Sequence, residues 1–178
     1  MKALTLKRPW PFCIFHLGKR IENRSDKRGE PPMCRYRGWL LLHAGKGWDE
    51  SVFERHGPEI EDFADPCLPL LAILPHGQSY RNSHRKGIVG RARVVGQVWP
   101  GRTYTWLDDF SSIFRGNGSW PEPGQEAWWQ GGHAMIFDDV EELTEPIPCR
   151  GRQGLWTPPD EVLAQLPPRW IREAEVER

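Results

Sequence analysis

The chain has 178 residues, 38% of them hydrophobic, with ten Trp, seven Phe and equal numbers of acidic and basic side chains. That length suits one domain able to bury roughly two-thirds of its unfolded surface, with apolar area concentrated in aromatic side chains of about 150 to 250 Å² each. No run approaches the ~18 apolar residues of a membrane span, and Pro9 and Pro11 interrupt the N-terminal stretch before a signal-like segment develops, so a soluble, cytoplasmic protein without a membrane partner is expected.

Alternation over residues 2–6 predicts a short strand, and Pro9 opens a helix over the apolar run 10–17, which Gly18 stops. Residues 19–24 alternate again as a strand. A charged Gly/Pro-rich loop, 25–35, precedes the continuous apolar strand 38–44. Weaker helical patterns at 48–56 and 59–73 lead into a polar loop at 76–87, and 87–99 reads as the longest strand, with glycines that permit a bend or bulge. Residues from about 100 to 130 lack periodicity and are expected to form a long irregular insertion that covers part of the surface. A strand at 133–143, an irregular segment at 145–156 and a helix opened by Pro158 and Pro159 complete the chain. Short strands interrupted by helices, without regular β-α-β alternation, predict an α+β fold: a small mixed or antiparallel barrel with helices packed outside. One domain is expected over 1–157, with 158–178 as its capping helix.

Charge is unevenly distributed. Residues 1–46 carry eleven Lys/Arg against three Asp/Glu, and 81–102 carry six basic residues and no acidic ones. If these stretches meet they form a positive face that attracts phosphates; if not, the surface is mixed and solvated. Arg81, Ser83, His84, Arg85 and Lys86 read either as a phosphate-facing arm or as a solvated loop. Cys13, Cys34, Cys67 and Cys149 show no C-x-x-C pair and no zinc-like Cys/His spacing, so free thiols are expected, with no metal and no cofactor. The alternatives are disulfides or a metal site that uses His76 or His84.

One segment concentrates chemistry: Gly18-Lys19-Arg20-Ile21-Glu22-Asn23-Arg24. On a strand Lys19, Ile21 and Asn23 share one face and Arg20, Glu22 and Arg24 the other, but Lys19, just past a helix-ending glycine, can swing around the rim to meet Glu22. A carboxylate among these cations can accept from a base's exocyclic amine while the cations bind phosphate or a carbonyl. The structural alternative is an internal Glu22–Arg24 ion pair that fixes the barrel. Trp10 and Trp156 are candidates to stack on a base, worth roughly 1 to 3 kcal/mol without sequence demands. Trp39, Trp106 and Trp170 read as packing, and Trp128 and Trp129 cannot both face inward if extended. His43 ends an apolar strand, either as a core histidine or as a polar group on a cleft floor. Tyr36 and Arg37 precede that strand and can reach phosphate or ribose.

That segment, together with Arg8-Pro9-Trp10 before it and Tyr36-Arg37-Gly38, His43-Ala44, Ile88-Val89-Gly90 and the closing run from Gly151 to Trp156 after it, resembles the ASCH family of the PUA-like superfamily. The resemblance covers the chain except about 100–130. It implies a PUA-like β-barrel whose cleft holds RNA or a modified nucleotide, with Lys19, Glu22 and Arg24 reading the ligand and Trp10 as platform. Some relatives are amidohydrolases with a nucleophilic Thr three residues after the Lys; here Glu22 stands there, which removes the hydroxyl that step needs. The second reading is therefore a metal-independent ribonuclease or nucleoside-processing hydrolase that uses Lys19 and Glu22, with His43 as another base. The third is a coregulatory domain that contacts a protein partner through the 100–130 insertion.

Overall fold

The computed structural model describes residues 1–24, 36–49, 86–99, 102–106, 112–114, 125, 128–130 and 132–176. Within them one mixed sheet is built from β1 (Lys2–Arg8), β2 (Ile21–Arg24), β3 (Gly38–Trp48), β4 (Gly87–Trp99), β5 (Arg102–Trp106), β6 (Ser112–Phe114), β7 (His133–Ile147) and β8 (Leu155–Trp156). The main path runs β2-β7-β4-β3-β1-β8 and curls as a half-barrel, with β5 and β6 extending from β4. The β1–β3 pair is parallel and the other pairs are antiparallel. Among the described residues three short helices accompany it: α1 (Trp10–His16), α2 (Asp160–Leu163) and α3 (Pro168–Val176).

Burial explains the run in β3. Leu40 and Leu42 join Leu4, Leu6, Trp10, Ile14 and Phe137 on the face covered by α1. Leu41 joins Ala3, Ile88, Trp156, Val162 and Trp170 on the face covered by α2 and α3. A strand packed on both sides has no polar face to alternate with, hence its continuous apolar sequence. Gly90 on β4 lets α1 approach: a Cβ there would lie 2.4 Å from both Phe15 Cζ and the Glu141 carbonyl oxygen.

The described residues are mostly β with few short helices, and their mixed sheet, curled as a half-barrel, agrees with the coarser part of the α+β expectation of a small mixed barrel. Several expectations need correction. The 100–130 span is not wholly irregular: β5 pairs with β4 through Gly96↔Thr105 and Trp99↔Arg102, and β6 returns along β5. β7 runs on to Ile147, four residues past the expected end, and β8 lies in a segment read as irregular. The terminal helix is two helices, because Pro167 and Pro168 disfavour helical backbone at the residues before them. Trp48, expected to begin a helix, instead ends β3, which puts His43 at mid-strand rather than at the strand's expected end. The 25–35 loop, the rest of the 48–56 helix, the 59–73 helix, the arm at 80–85, Cys34 and Cys67 lie outside the described residues. Cys13 and Cys149 are free thiols, and no helix among the described residues is long and apolar enough to cross a membrane.

Candidate functional site

The end of α1 delivers the first site residue. Gly18 takes φ +69°, a left-handed turn that costs glycine little, and both Leu17 and Lys19 donate their backbone N–H to the Cys13 carbonyl at 3.1 Å. The chain thus doubles back under the helix, and the Lys19 side chain is carried inward until it is fully buried. Its ammonium donates to the Ile21 carbonyl and to Glu22 Oε2 at 3.2 Å, and stands 5.3 Å from the centre of the Trp10 ring. The three protons of the ammonium are thus matched by two oxygens and an aromatic face.

β2 supplies the rest. Ile21 packs inward with Ala134 and Ile136, so Glu22 and Asn23 fall into place by alternation and by the strand's antiparallel register, Arg24↔His133. Glu22 Oε1 lies 3.6 Å from Arg24 Nη1. Exposure separates the three: the side chains of Lys19, Glu22 and Arg24 keep 1%, 9% and 31% of their surface in contact with solvent. Asn23 clasps the returning chain, donating to the Trp128 carbonyl at 2.7 Å and accepting from the Gln130 N–H at 3.1 Å. Gln125 does the same one turn earlier, bonding the Arg20 N–H and the Gly18 carbonyl.

These groups line a cleft of about 820 Å³. Its walls are the end of β1 with Thr5 and Lys7, Trp10, the Lys19–Glu22–Arg24 array, Asp49, Gln130, Gly132 and His133, and the 151–154 loop with Arg152 and Gln153. Trp10 is held in the wall by its indole N–H, which donates to Asp49 Oδ2 at 3.2 Å. Beneath it, burial pushes the Cys13 thiol up to about 12, opposed by the charge of Lys19, so this sulfur is unreactive at neutral pH. Among the described residues no three His, Cys, Asp or Glu side chains group as a metal site.

The structure brings together Trp10, Lys19, Glu22 and Arg24 and separates the other candidates from them. Tyr36 and Arg37 border a different hollow of about 350 Å³ beside Lys2, Trp39 and Thr157, and the Tyr36 hydroxyl donates to the Trp39 carbonyl. His43 is buried, paired through Nε2 with the Cys149 carbonyl at 3.1 Å and edge-on to Trp156 at 5.6 Å. Burial lowers its basicity, with backbone hydrogen bonds from Cys149 and its own residue opposing. Trp156 is likewise buried and donates to Thr5 Oγ1 at 3.1 Å. Of the tryptophan pair, Trp128 enters the core and Trp129 is half-buried against Ile21 and Ala134, so neither is an exposed contact. Arg91, counted among the basic stretch at 81–102, is buried under α3.

Sequence reasoning missed Lys7, Asn23, Asp49, His133, Arg152 and Gln153. Arg152 and Gln153 stood inside the quoted closing motif, and Asn23 is a poor strand former within a strand, which signals a side chain with a partner elsewhere. No protein-family model matches the chain, and no curated protein matches it significantly.

Proposed function

We propose that the cleft binds a nucleobase carried on a phosphate-bearing ligand, RNA or a nucleotide, and that the chain is an ASCH-type domain on a PUA-like half-barrel. The observation that carries this is the position of the Lys19–Glu22–Arg24 array on the wall of an 820 Å³ cleft rather than sealed against itself. Such a volume lies within the range of small-molecule sites, about 300 to 1,000 Å³. Glu22 offers an acceptor, Arg24 a half-free guanidinium, and the exposed Lys7 and Arg152 add cations at the mouth. The motifs that fall in family order supply the rest of the argument.

Lys19 has its donors committed to Ile21, Glu22 and Trp10, which favours a positioning role for it and a binding role for the site over proton transfer. It is also a poor mutational probe: removing one partner of a buried pair costs about 3 to 5 kcal/mol. Arg24→Ala is the sharper test. Titration calorimetry with nucleoside monophosphates and short single-stranded RNA should give measurable binding, and Arg24→Ala should weaken it about tenfold with the melting temperature unchanged. Absence of heat with every nucleotide and oligonucleotide at millimolar concentration would overturn the proposal.

A further inference from the structure

We infer that the cleft selects guanine among the four standard bases, through Glu22 and Arg24. This deepens, and rests on, the reading of the cleft as a nucleobase site. A carboxylate accepts hydrogen bonds and donates none, with about two lone-pair directions on each oxygen. On Glu22, Lys19 occupies one direction of Oε2 at 3.2 Å, and Oε1 faces Arg24 at 3.6 Å. The side chain lines the cleft, so a ligand meets the directions left over on two adjacent oxygens. Lys19, with its protons committed, adds no donor there. Arg24 does, from the same strand face and with 31% of its side chain exposed. A base edge laid along Glu22 and Arg24 would meet two carboxylate acceptors and then a guanidinium donor.

Guanine presents the complement: two adjacent donors, N2–H and N1–H, followed by the O6 acceptor. Adenine and cytosine each offer one exocyclic amine beside an unprotonated ring nitrogen, whose lone pair would face the second carboxylate oxygen. Uracil offers one N–H flanked by two carbonyls. Each of these sets an acceptor against an acceptor in a site where the carboxylate is held in place by two cations, and discrimination grows from that repulsion as much as from the good contacts.

The test uses the intact chain and five ligands in titration calorimetry: the 5′-monophosphates of guanosine, inosine, adenosine, cytidine and uridine. The guanosine nucleotide should bind tightest, by about tenfold or more over the adenosine, cytidine and uridine nucleotides. The inosine nucleotide, which keeps N1–H and O6 but lacks the 2-amino group, should fall between. Arg24→Met, at a half-exposed position, should narrow the gap between guanosine and adenosine nucleotides while circular dichroism stays unchanged. A preference for the adenosine, cytidine or uridine nucleotide overturns the guanine assignment and leaves the nucleobase reading standing; equal binding of all five would mean phosphate recognition alone and overturns both. Failure of all five to bind overturns both.

Discussion

His43 is buried at the middle of β3, which runs on to Trp48, with its ring against backbone. A Cβ on Gly151 would stand 2.4 Å from His43 Cε1 and 2.7 Å from Thr5 Oγ1, so only glycine lets the 151–154 loop lie across this part of the sheet. The ring gives Nε2 to the Cys149 carbonyl, while Nδ1 is buried with no hydrogen-bond partner among the described residues. A second proton on such a ring would lose water and gain little. Burial accordingly lowers its pKa below the ordinary 6.5, with the Cys149 and His43 backbone contacts opposing. The consequence for stability has a definite sign. In the unfolded chain the imidazole takes up a proton as the pH drops through 6.5, whereas the folded protein resists until a lower pH. This contribution is complete above about pH 6.5 and is lost as the pH falls from there towards the folded value. The urea midpoint should therefore drop between pH 7.5 and pH 5.5, and His43→Gln should show a shallower drop over the same interval. An identical pH dependence in the two proteins would show that His43 is not its source.

At the scale of elements, the attachment of α3 turns on one side chain. Arg91 of β4 is fully buried, its guanidinium 3.6 Å from the ring centre of Trp39 on β3 and 4.7 Å from that of Trp170 on α3. It bonds Glu141 of β7 and Glu173 of α3, and the Trp170 indole donates to Glu141 Oε2 at 3.1 Å. Burial alone would raise the Glu141 carboxyl, but hydrogen bonds from Arg91 and Trp170 and the charges of Arg91 and Arg169 bring it below its ordinary value. Two carboxylates and two aromatic faces thus converge on one planar cation. Arg91→Met should cost about 3 kcal/mol in chemical denaturation, the low end for a broken buried pair because Glu173 remains partly in water. Arg91→Lys should recover only a fraction, since an ammonium neither forks nor stacks in the same way; wild-type stability in that variant would refute the role. Of this, only the packing of Trp39 and Trp170 was legible beforehand. Arg91 counted as one cation in a basic stretch, because its partners lie 50 and 82 residues away. What was legible was local: the strand at the N-terminus, the proline-opened helix, the glycine that stops it, and the continuous apolar β3; Lys19, expected to swing around the rim, is instead fully buried. The β2–β7 register that sets His133 beside Arg24, and the clasp of Asn23 on Trp128 and Gln130, are pairings over a hundred residues apart that no local periodicity encodes. Tyr36, Arg37 and His43 were assigned to the cleft by their places around the 38–44 strand and in the resemblance, whereas Tyr36 and Arg37 border a different hollow and His43 is buried against the Cys149 carbonyl and Trp156.

Across the whole molecule, the cleft opens beside the packed layers, and Leu6 and Trp10 belong both to the core under α1 and to the cleft wall. The α1 layer and the α2/α3 layer seal the faces of β3, while the cleft opens among the end of β1, β2 and the 151–154 loop. Buried and exposed charge are divided within the cleft. Lys19 and Glu22 are held by one another and by Trp10, so they set the shape of the site; Lys7 and Arg152 are exposed at its mouth and Arg24 is half free. Cations in water contribute to binding chiefly by releasing the counterions of a polyanion, an effect that salt weakens, whereas a buried pair is screened little. The division yields a measurable signature. For a short single-stranded RNA whose phosphates engage Lys7 and Arg152, the logarithm of the affinity should fall with the logarithm of salt concentration at a slope of about −1.4, at about −0.7 per phosphate contact. Arg152→Ala should reduce the slope by about 0.7 and weaken every sequence alike, whereas substitution of Arg24 should also alter which base is preferred. A slope near zero, or one that Arg152→Ala leaves untouched, would mean that the mouth of the cleft meets no phosphate and that the ligand is a neutral molecule seated entirely inside.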